Sequence, residues 1–169
     1  MGRLHVVLES TELKALGTDT NNVLVRHYAV PGAASGNFEW LCFTILGDGA
    51  AQRIWFTSDD EMGGGTITGI IATVLPASTR PTACPTLQNA MQPVHLDNGM
   101  WIGSTSNELT QVFGYAPRNR QGWSSYLYSG SVTLTEHGKG VEFDVVNALE
   151  FDVHKGKIRA IRLSQISSS

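Results

Sequence analysis

The chain has 169 residues, of which 41% are hydrophobic and 16% charged, and a formal net charge of -3. This composition excludes a disordered chain or a charged coil, and the length suits one domain or two small halves that share a core. The charge leaves no basic surface for phosphates, which argues against a nucleic-acid partner. No apolar run approaches the roughly 20 residues of a membrane helix, so we expect no membrane span.

The first predicted element is a short helix at residues 10–17, STELKALG. Ser10 is the candidate N-cap, because its hydroxyl can accept from an amide of the first turn. Leu13 and Leu16 are three positions apart and therefore share one face. Gly17 is the residue type that commonly ends a helix, so we expect the helix to stop there.

The first hairpin follows this helix. Residues 38–46 are rich in β-branched and aromatic side chains, residues 47–50 read GDGA, and residues 52–58 return as a second apolar run. Strand, turn and strand are predicted in that order. Residues 21–30 also have strand composition.

The second predicted helix begins at Thr105. Glu108 follows three residues later, which completes a capping box in which each side chain serves an amide of the first turn. Gly114 stands where a left-handed residue ends a helix, and Pro117 prevents easy continuation. Residues 105–113 are therefore predicted to be helical.

The strands after this helix echo the first half. Residues 122–132 predict a strand, and residues 145–153 and 158–166 predict a hairpin. The apolar triad at Leu149, Phe151 and Val153 matches the triad at Leu41, Phe43 and Ile45. We predict an α+β fold of two related helix-plus-antiparallel-strand units, with the helices packed on one face of an antiparallel sheet. The single domain 1–169 would contain pseudo-repeats at about 4–76 and 94–166, joined by a Pro-rich linker at 76–93.

The segments WIGSTSNELTQVFGYAP, GWSSYLY and LEFDVHKGKIRAIRLSQI resemble a known pattern over about residues 100–166. The pattern is that of the β-lactamase-inhibitor-protein-like fold and its relatives, which include small outer-membrane assembly lipoproteins. Its characteristic places are occupied by Ile102, Gly103, Phe113, Gly114, Pro117, Trp123, Tyr126, Phe151, Gly156, Lys157 and Ile158. The resemblance implies a periplasmic or secreted bacterial protein, with or without a lipid anchor, that binds another protein through an exposed sheet face. It assigns no binding residue, because fold analogy stops short of function.

Cys42 and Cys84 are isolated cysteines without a Cys-x-x-Cys pattern or a nearby histidine at metal-ligand spacing. A disulfide between them and two inert thiols both remain open. If the protein matures outside the cytoplasm, we expect the disulfide, because a linker that crosses the non-helix face of the sheet would bring Cys84 to Cys42.

Two polar clusters offer an enzymatic alternative. Asp59, Asp60 and Glu61 precede three glycines, and His95 and Asp97 would share one face of a strand. A hydrolase could use either cluster for acid–base work. No serine lies in a Gly-x-Ser-x-Gly elbow, and the acidic run lacks the ligand spacing of a calcium loop. We therefore expect binding rather than catalysis, with no cofactor and no metal.

The tryptophans give the binding prediction its residues. If Leu41, Phe43 and Ile45 face the helix, alternation sends Trp40 to the other face of the sheet. Trp55 joins it when the two neighbours of Trp55 point inward.

Two tyrosines of the second unit extend this prediction, because similar alternation predicts Tyr126 and Tyr128 on the exposed surface. Exposed aromatic residues are enriched in binding hot spots. Two other interpretations stay open: a second core beneath the linker, and a carrier that holds a small apolar ligand against the tryptophans.

Overall fold

The computed structural model describes residues 5–20, 26–29, 37–46, 50–59, 64–76, 84–120, 122–136 and 139–168. Two α-helices, one short 3-10 turn and eight strands lie within these ranges. The helices are α1 (Leu13–Asp19) and α2 (Ser106–Phe113), and the 3-10 turn is Asn89–Met91. The strands are β1 (Arg26–Ala29), β2 (Asn37–Ile45), β3 (Gln52–Asp59), β4 (Gly69–Val74), β5 (Arg118–Arg120), β6 (Trp123–Glu136), β7 (Lys139–His154) and β8 (Lys157–Ser168).

One antiparallel sheet contains all eight strands in the order β1-β2-β3-β4-β8-β7-β6-β5. Each helix is followed by four strands that pair with their neighbours in sequence, and the last strand of each set pairs with the other. At this junction Ile71 lies opposite Arg162, with Ile70 opposite Leu163 on one side. The predicted α+β class is confirmed.

The predicted hairpins are present. β2 pairs with β3 through facing positions such as Phe43 and Ile54, and β7 pairs with β8 across the turn at Lys155 and Gly156. The strand β4 and its pairing with β8 were not predicted. Residues 47–49 of the first predicted turn lie outside the described residues.

Helix α2 matches its prediction closely. The Thr105 hydroxyl accepts from the Glu108 amide at 3.3 Å, and the Glu108 carboxylate accepts from the amide and the hydroxyl of Thr105. Gly114 ends the helix in the left-handed conformation with φ of 71°. The capping box and the glycine terminator are therefore confirmed.

These hydrogen bonds, first from the Thr105 amide and then from its hydroxyl, lower the pKa of Glu108 below its usual range. Thr105→Ala removes the side-chain part, so we expect a loss of about 1 kcal/mol in the free energy of unfolding and a rise in the pKa of Glu108. Because the folded-state pKa is depressed, the ionised carboxylate stabilises the fold above its unfolded-state pKa, and this contribution disappears as the pH falls through the folded-state pKa. Thermal unfolding at neutral and acidic pH and an NMR titration of Glu108 measure both effects. Ser106→Ala, one residue further on, is the matched control, and an unchanged Glu108 titration in Thr105→Ala would contradict the prediction.

Helix α1 differs from its prediction at both ends. It begins at Leu13 after the N-cap Glu12, whose side chain makes no capping bond, so Ser10 is not the cap. Gly17 is buried inside the helix, which continues to Asp19. The Thr20 hydroxyl donates to the carbonyl of Leu16 at 2.6 Å and closes the last turn. The end of α1 is thus stabilised by a threonine, and Gly17 is not its terminator.

The start of each helix is held by a glycine turn that precedes a strand. In the first half, the Leu13 amide donates to the Gly65 carbonyl and the Ile67 amide to the Thr11 carbonyl, at 3.0 and 2.8 Å. In the second half, the Ser106 amide donates to the Gly156 carbonyl and the Ile158 amide to the Ser104 carbonyl, at 3.0 and 2.9 Å. Gly65 and Gly156 both have positive φ, which a side chain would strain. The starts of α1 and α2 are therefore set by contact with the sheet as well as by local sequence.

Two groups of buried side chains form the core. The first joins α1 to β2, β3 and β4 and contains Leu13, Leu16, Leu41, Phe43, Ile45, Ile54, Phe56, Ile67, Ala72 and Leu87. The second joins α2 to the last strands and contains Met100, Leu109, Tyr126, Phe151, Ile158 and Ile161. Trp101 and Ile102 pack against both clusters, which therefore meet beside the connection between the two halves.

Candidate functional site

The alternation predicted for β2 is present. Leu41, Phe43 and Ile45 are buried in the cluster with α1. Trp40 lies between inward-facing neighbours and so projects from the opposite side of the sheet. Trp55 does the same in β3 and stands directly opposite Cys42. We call the side that carries both indoles the outer face; both tryptophans are half-buried.

A continuous row of side chains crosses the outer face. From β2 to β6 it runs through facing positions Cys42, Trp55, Ile71, Arg162, Glu150 and Ser125. Ile71, at the centre of the row, is 38% exposed. The row therefore places an aromatic ring, an apolar side chain and a cation side by side across the strand junction, a combination typical of protein interfaces.

The adjacent row is made of small side chains between two large apolar ones. It runs through Trp40, Thr57, Gly69, Ser164, Ala148 and Leu127. A Cβ at Gly69 would lie 2.6 Å from the Thr57 hydroxyl, so the glycine lets that side chain lie flat on the sheet. Leu127 is 56% exposed at the far end. The outer face thus has a shallow strip bordered by bulky residues.

Two arginines lie over tryptophan rings on the outer face. The guanidinium carbon of Arg162 is 4.1 Å from the centre of the Trp123 ring, and that of Arg53 is 5.9 Å from the Trp55 ring. Such contacts hold the planar groups in place. Sequence reasoning assigned neither Trp123 nor Arg162 to this surface, although the alternation within β6 and β8 carries that signal.

The predicted binding tyrosines do not lie on the outer face. Tyr126 is 4% exposed, its ring stacks on Phe113 at 4.1 Å, and its hydroxyl donates to the Tyr115 carbonyl. Burial, followed by the charge of Tyr115, raises the pKa of Tyr126. The assignment of Tyr126 to an exposed binding surface is therefore wrong.

Tyr128 is 63% exposed but belongs to the same side of β6 as Tyr126. Its register partner is Asn147, two positions from the Leu149 that faces Tyr126. Neither tyrosine shares a surface with the tryptophans.

A disulfide joins Cys42 to Cys84, with 5.1 Å between their Cα atoms. The segment that carries Cys84 is held against β2, because the Thr44 hydroxyl donates to the Cys84 carbonyl and the Thr44 amide to the Pro85 carbonyl, at 3.1 and 2.8 Å. Leu87, on the same segment, reaches the core of the opposite side. The connection therefore passes around the edge of β2 from the outer face to the helix-side core.

The prediction that His95 and Asp97 share one face of a strand is wrong, because neither residue lies in a strand. His95 lies in a loop, where its Nδ1 contacts the Leu96 carbonyl at 2.9 Å, whereas the Asp97 carboxylate pairs with His5 at 3.3 Å. Asp59 ends β3, and the rest of the acidic run, including Glu61, lies outside the described residues. Within the described ranges, no group of three His, Cys, Asp or Glu side chains could hold a metal ion.

Neither helix is long and apolar enough to cross a bilayer, as judged over the part of the chain that the structure describes. The chain was also compared with protein-family models, curated proteins and solved structures, and none of the three comparisons found a match.

Proposed function

We propose that this protein is a non-catalytic binding protein of the bacterial envelope or of the secreted fraction, and that it recognises another protein through the outer face of its sheet. The observation that carries the proposal is the row Trp55–Ile71–Arg162. Three neighbouring strands present there an indole, an exposed isoleucine and a guanidinium. Aromatic and arginine side chains give large contact areas and dominate the energetics of many interfaces.

Several apolar side chains widen this surface beyond what a single ring provides. Exposed apolar residues on the outer face include Ile71, Leu127, Val146 and Ile166, each at least 38% exposed. They surround the small-residue strip that leads to Trp40. A surface with apolar residues at its centre and mixed charge such as Arg162 and Glu150 nearby favours a folded protein partner over a nucleic acid.

We propose further that the fold consists of two related units, with both helices on the inner side of the sheet. The register at the junction supports this proposal, since Ile70, Ile71 and Ala72 face Leu163, Arg162 and Ile161 in turn. A two-fold axis through the Ile71–Arg162 pair would exchange β4 with β8. Ile70 would then correspond to Ile161 and Ala72 to Leu163, which reproduces the observed pairs. The glycine turns that hold the two helix starts support the same relation, because Gly65 and Gly156 accept the same type of bond.

The correspondence extends to the tryptophans. Arg26 lies opposite Trp40 between β1 and β2, and Arg120 lies opposite Trp123 between β5 and β6. Three residues after each tryptophan comes an aromatic core residue, Phe43 in one unit and Tyr126 in the other. On this basis we propose that Trp40 and Trp123 are equivalent positions of a duplicated unit.

The disulfide supports the proposed location. Disulfides persist in the periplasm and outside the cell and are rare in the reducing cytosol. The Cys42–Cys84 bond fastens the connection between the units to the first sheet half. In those oxidising compartments such a bond persists and stabilises the fold.

The joint replacement Trp40→Ala and Trp55→Ala tests the binding proposal. Wild type and variant would be used as bait in an envelope extract, and the recovered partner would then be titrated against each by calorimetry. We expect a loss of about 2 to 4 kcal/mol in binding free energy for an anchoring tryptophan, with the thermal unfolding midpoint close to that of wild type. The matched control is Tyr128→Ala, which truncates an exposed aromatic ring on the other side of the sheet.

Two outcomes would contradict the proposal. A large drop in the unfolding midpoint of the double variant would make the tryptophans part of a second core. Equal affinity of the double variant and the Tyr128→Ala control would place the binding surface elsewhere.

A further inference from the structure

The two helices are too small to cover the sheet. Eight strands spaced about 4.8 Å apart span roughly 34 Å, whereas α1 and α2, with 7 and 8 residues, are each only about 12 Å long and 10 Å wide. The remaining inner surface must be covered by loops or left open. The segment from residue 84 to residue 105 is the described part of the chain between β4 and α2, and it packs against both core clusters.

A cavity of about 610 Å³ lies in this gap. Its walls include Leu16 of α1 and Phe113 of α2, and the sheet contributes side chains from both halves, among them Ile70, Leu149 and Leu163. The cavity is therefore bordered by both helices and by the strands on each side of the β4–β8 junction. It lies on the opposite side of the sheet from Trp40 and Trp55, so it is a different site from the outer face.

The size and lining of this cavity are those of a ligand site. Protein interiors are close-packed, and voids much larger than a water molecule are few. Buried apolar side chains such as Phe43 and Ile54 line the inner part of this cavity. A water molecule there would find few hydrogen-bonding partners. An empty apolar space also deprives its walls of dispersion contacts. Its volume falls within the range of about 300 to 1,000 Å³ that small-molecule sites occupy.

Most polar residues of the cavity lie at an exposed end, whereas Thr20 is buried and Gln92 is half-buried. Asp97 and His5, whose side chains are 90% and 65% exposed, form a pair at 3.3 Å there, and His95 and Asn98 are exposed beside them. The lining residues that the structure describes include no lysine or arginine. An anionic head group would thus meet the Asp97 carboxylate and no lysine or arginine, whereas a hydroxyl or amide can both donate and accept hydrogen bonds.

We propose that the cavity binds a small amphiphile whose apolar body fills the space between the helices and whose uncharged, hydrogen-bonding head lies at the His5–Asp97 end. This site is independent of the proposed protein interface. The proposed site differs from that of a carrier that holds its ligand against the tryptophans of the outer face. The tryptophan that lines the cavity is Trp101, on the inner side.

The test is a displacement titration with the neutral dye Nile red and three dodecyl compounds: dodecan-1-ol, dodecanoate and dodecylamine. The full chain is expected to take up the dye, and dodecan-1-ol should displace it at a concentration at least about tenfold lower than dodecanoate. Absence of dye uptake would overturn the proposal. Tighter binding of dodecanoate or of dodecylamine would overturn the assignment of an uncharged head. This comparison needs no variant.

Neighbouring substitutions locate the site. Ala90 lines the cavity and is exposed, whereas the adjacent Asn89 is exposed and does not line it. Ala90→Trp should weaken dye binding by at least about tenfold, while Asn89→Trp should leave it unchanged. Ile70→Phe on the cavity floor and Ile71→Phe on the outer face form a second pair with the same expected contrast. If the two variants of each pair changed dye binding equally, the assignment of the dye to the cavity would be overturned.

The double variant Trp40→Ala, Trp55→Ala separates this site from the outer face. It should bind Nile red as tightly as wild type does, although we expect it to bind its protein partner more weakly. Loss of dye binding in that variant would place the dye on the outer face and overturn the cavity proposal.

Discussion

Replacing Tyr126 with alanine is expected to lower the free energy of unfolding by about 3 to 5 kcal/mol, the range measured for truncating large aromatic residues in a core. The ring is 4% exposed, stacks on Phe113 and meets Phe151 edge to face at 6.3 Å. Its loss would leave a cavity between α2 and the sheet and remove the hydrogen bond to the Tyr115 carbonyl. Chemical denaturation followed by circular dichroism measures the change.

Tyr128→Ala is the matched control for this prediction. The two tyrosines are on the same strand and the same side of the sheet, but Tyr128 is 63% exposed. We expect its replacement to change stability by less than about 0.5 kcal/mol. Similar losses for the two variants would contradict the placement of Tyr126 in the core and of Tyr128 in solvent.

The second large effect is expected from the disulfide. Cys42 and Cys84 are 42 positions apart, and closing a loop of that length removes chain entropy from the unfolded state worth about 4 kcal/mol in the loop-entropy model. Joint replacement of both cysteines with alanine should lower the free energy of unfolding by up to that amount. Alanine suits the buried Cys42 site, which is 3% exposed, because it introduces no polar group.

Wild type treated with reductant is the control, and it should unfold at nearly the same denaturant concentration as the double variant. Mass spectrometry after alkylation, with and without reductant, reports the state of the sulfurs directly. Protein purified from an oxidising compartment that alkylates fully without reductant would contradict the bond and weaken the proposed location.

The elements that sequence reasoning predicted well are those defined by local contacts. The capping box at Thr105 and Glu108 satisfies amides within one turn, and Gly114 ends the same helix by its own backbone conformation. The start of α1 has no such local signal. The backbone amide of Leu13 instead donates to the carbonyl of Gly65, a residue more than fifty positions away. Residue propensity therefore predicts the cap at Ser10, whereas the helix begins after Glu12.

Strand order was the harder part, because an inward-facing apolar triad looks the same in any strand. The sequence pattern matches the triads at 41–45 and 149–153, yet β2 is the second strand of its set and β7 the third. If the two units are related as we propose, Phe56 corresponds to Phe151 instead, since they face Ile70 and Ile161.

The inner position of Tyr126 likewise depends on register, because it faces Leu149 across the β6–β7 ladder. Alternation along one strand fixes which residues share a face, but the partner strand decides which face that is. The cavity between the helices could not be predicted either, since it arises from how far apart the two short helices lie.

The short β5 has a consequence for how the protein behaves at high concentration. It pairs only with residues 123–125, so among the described residues the outer edge of β6 beyond Ser125 carries no further strand. An open edge of this length is where pairing between separate chains starts. This part of the edge has no large apolar side chain at Ser129, Gly130 or Ser131, which reduces the hydrophobic contribution to that pairing. We therefore expect slow self-association of the folded protein to begin at β6, well before the core unfolds.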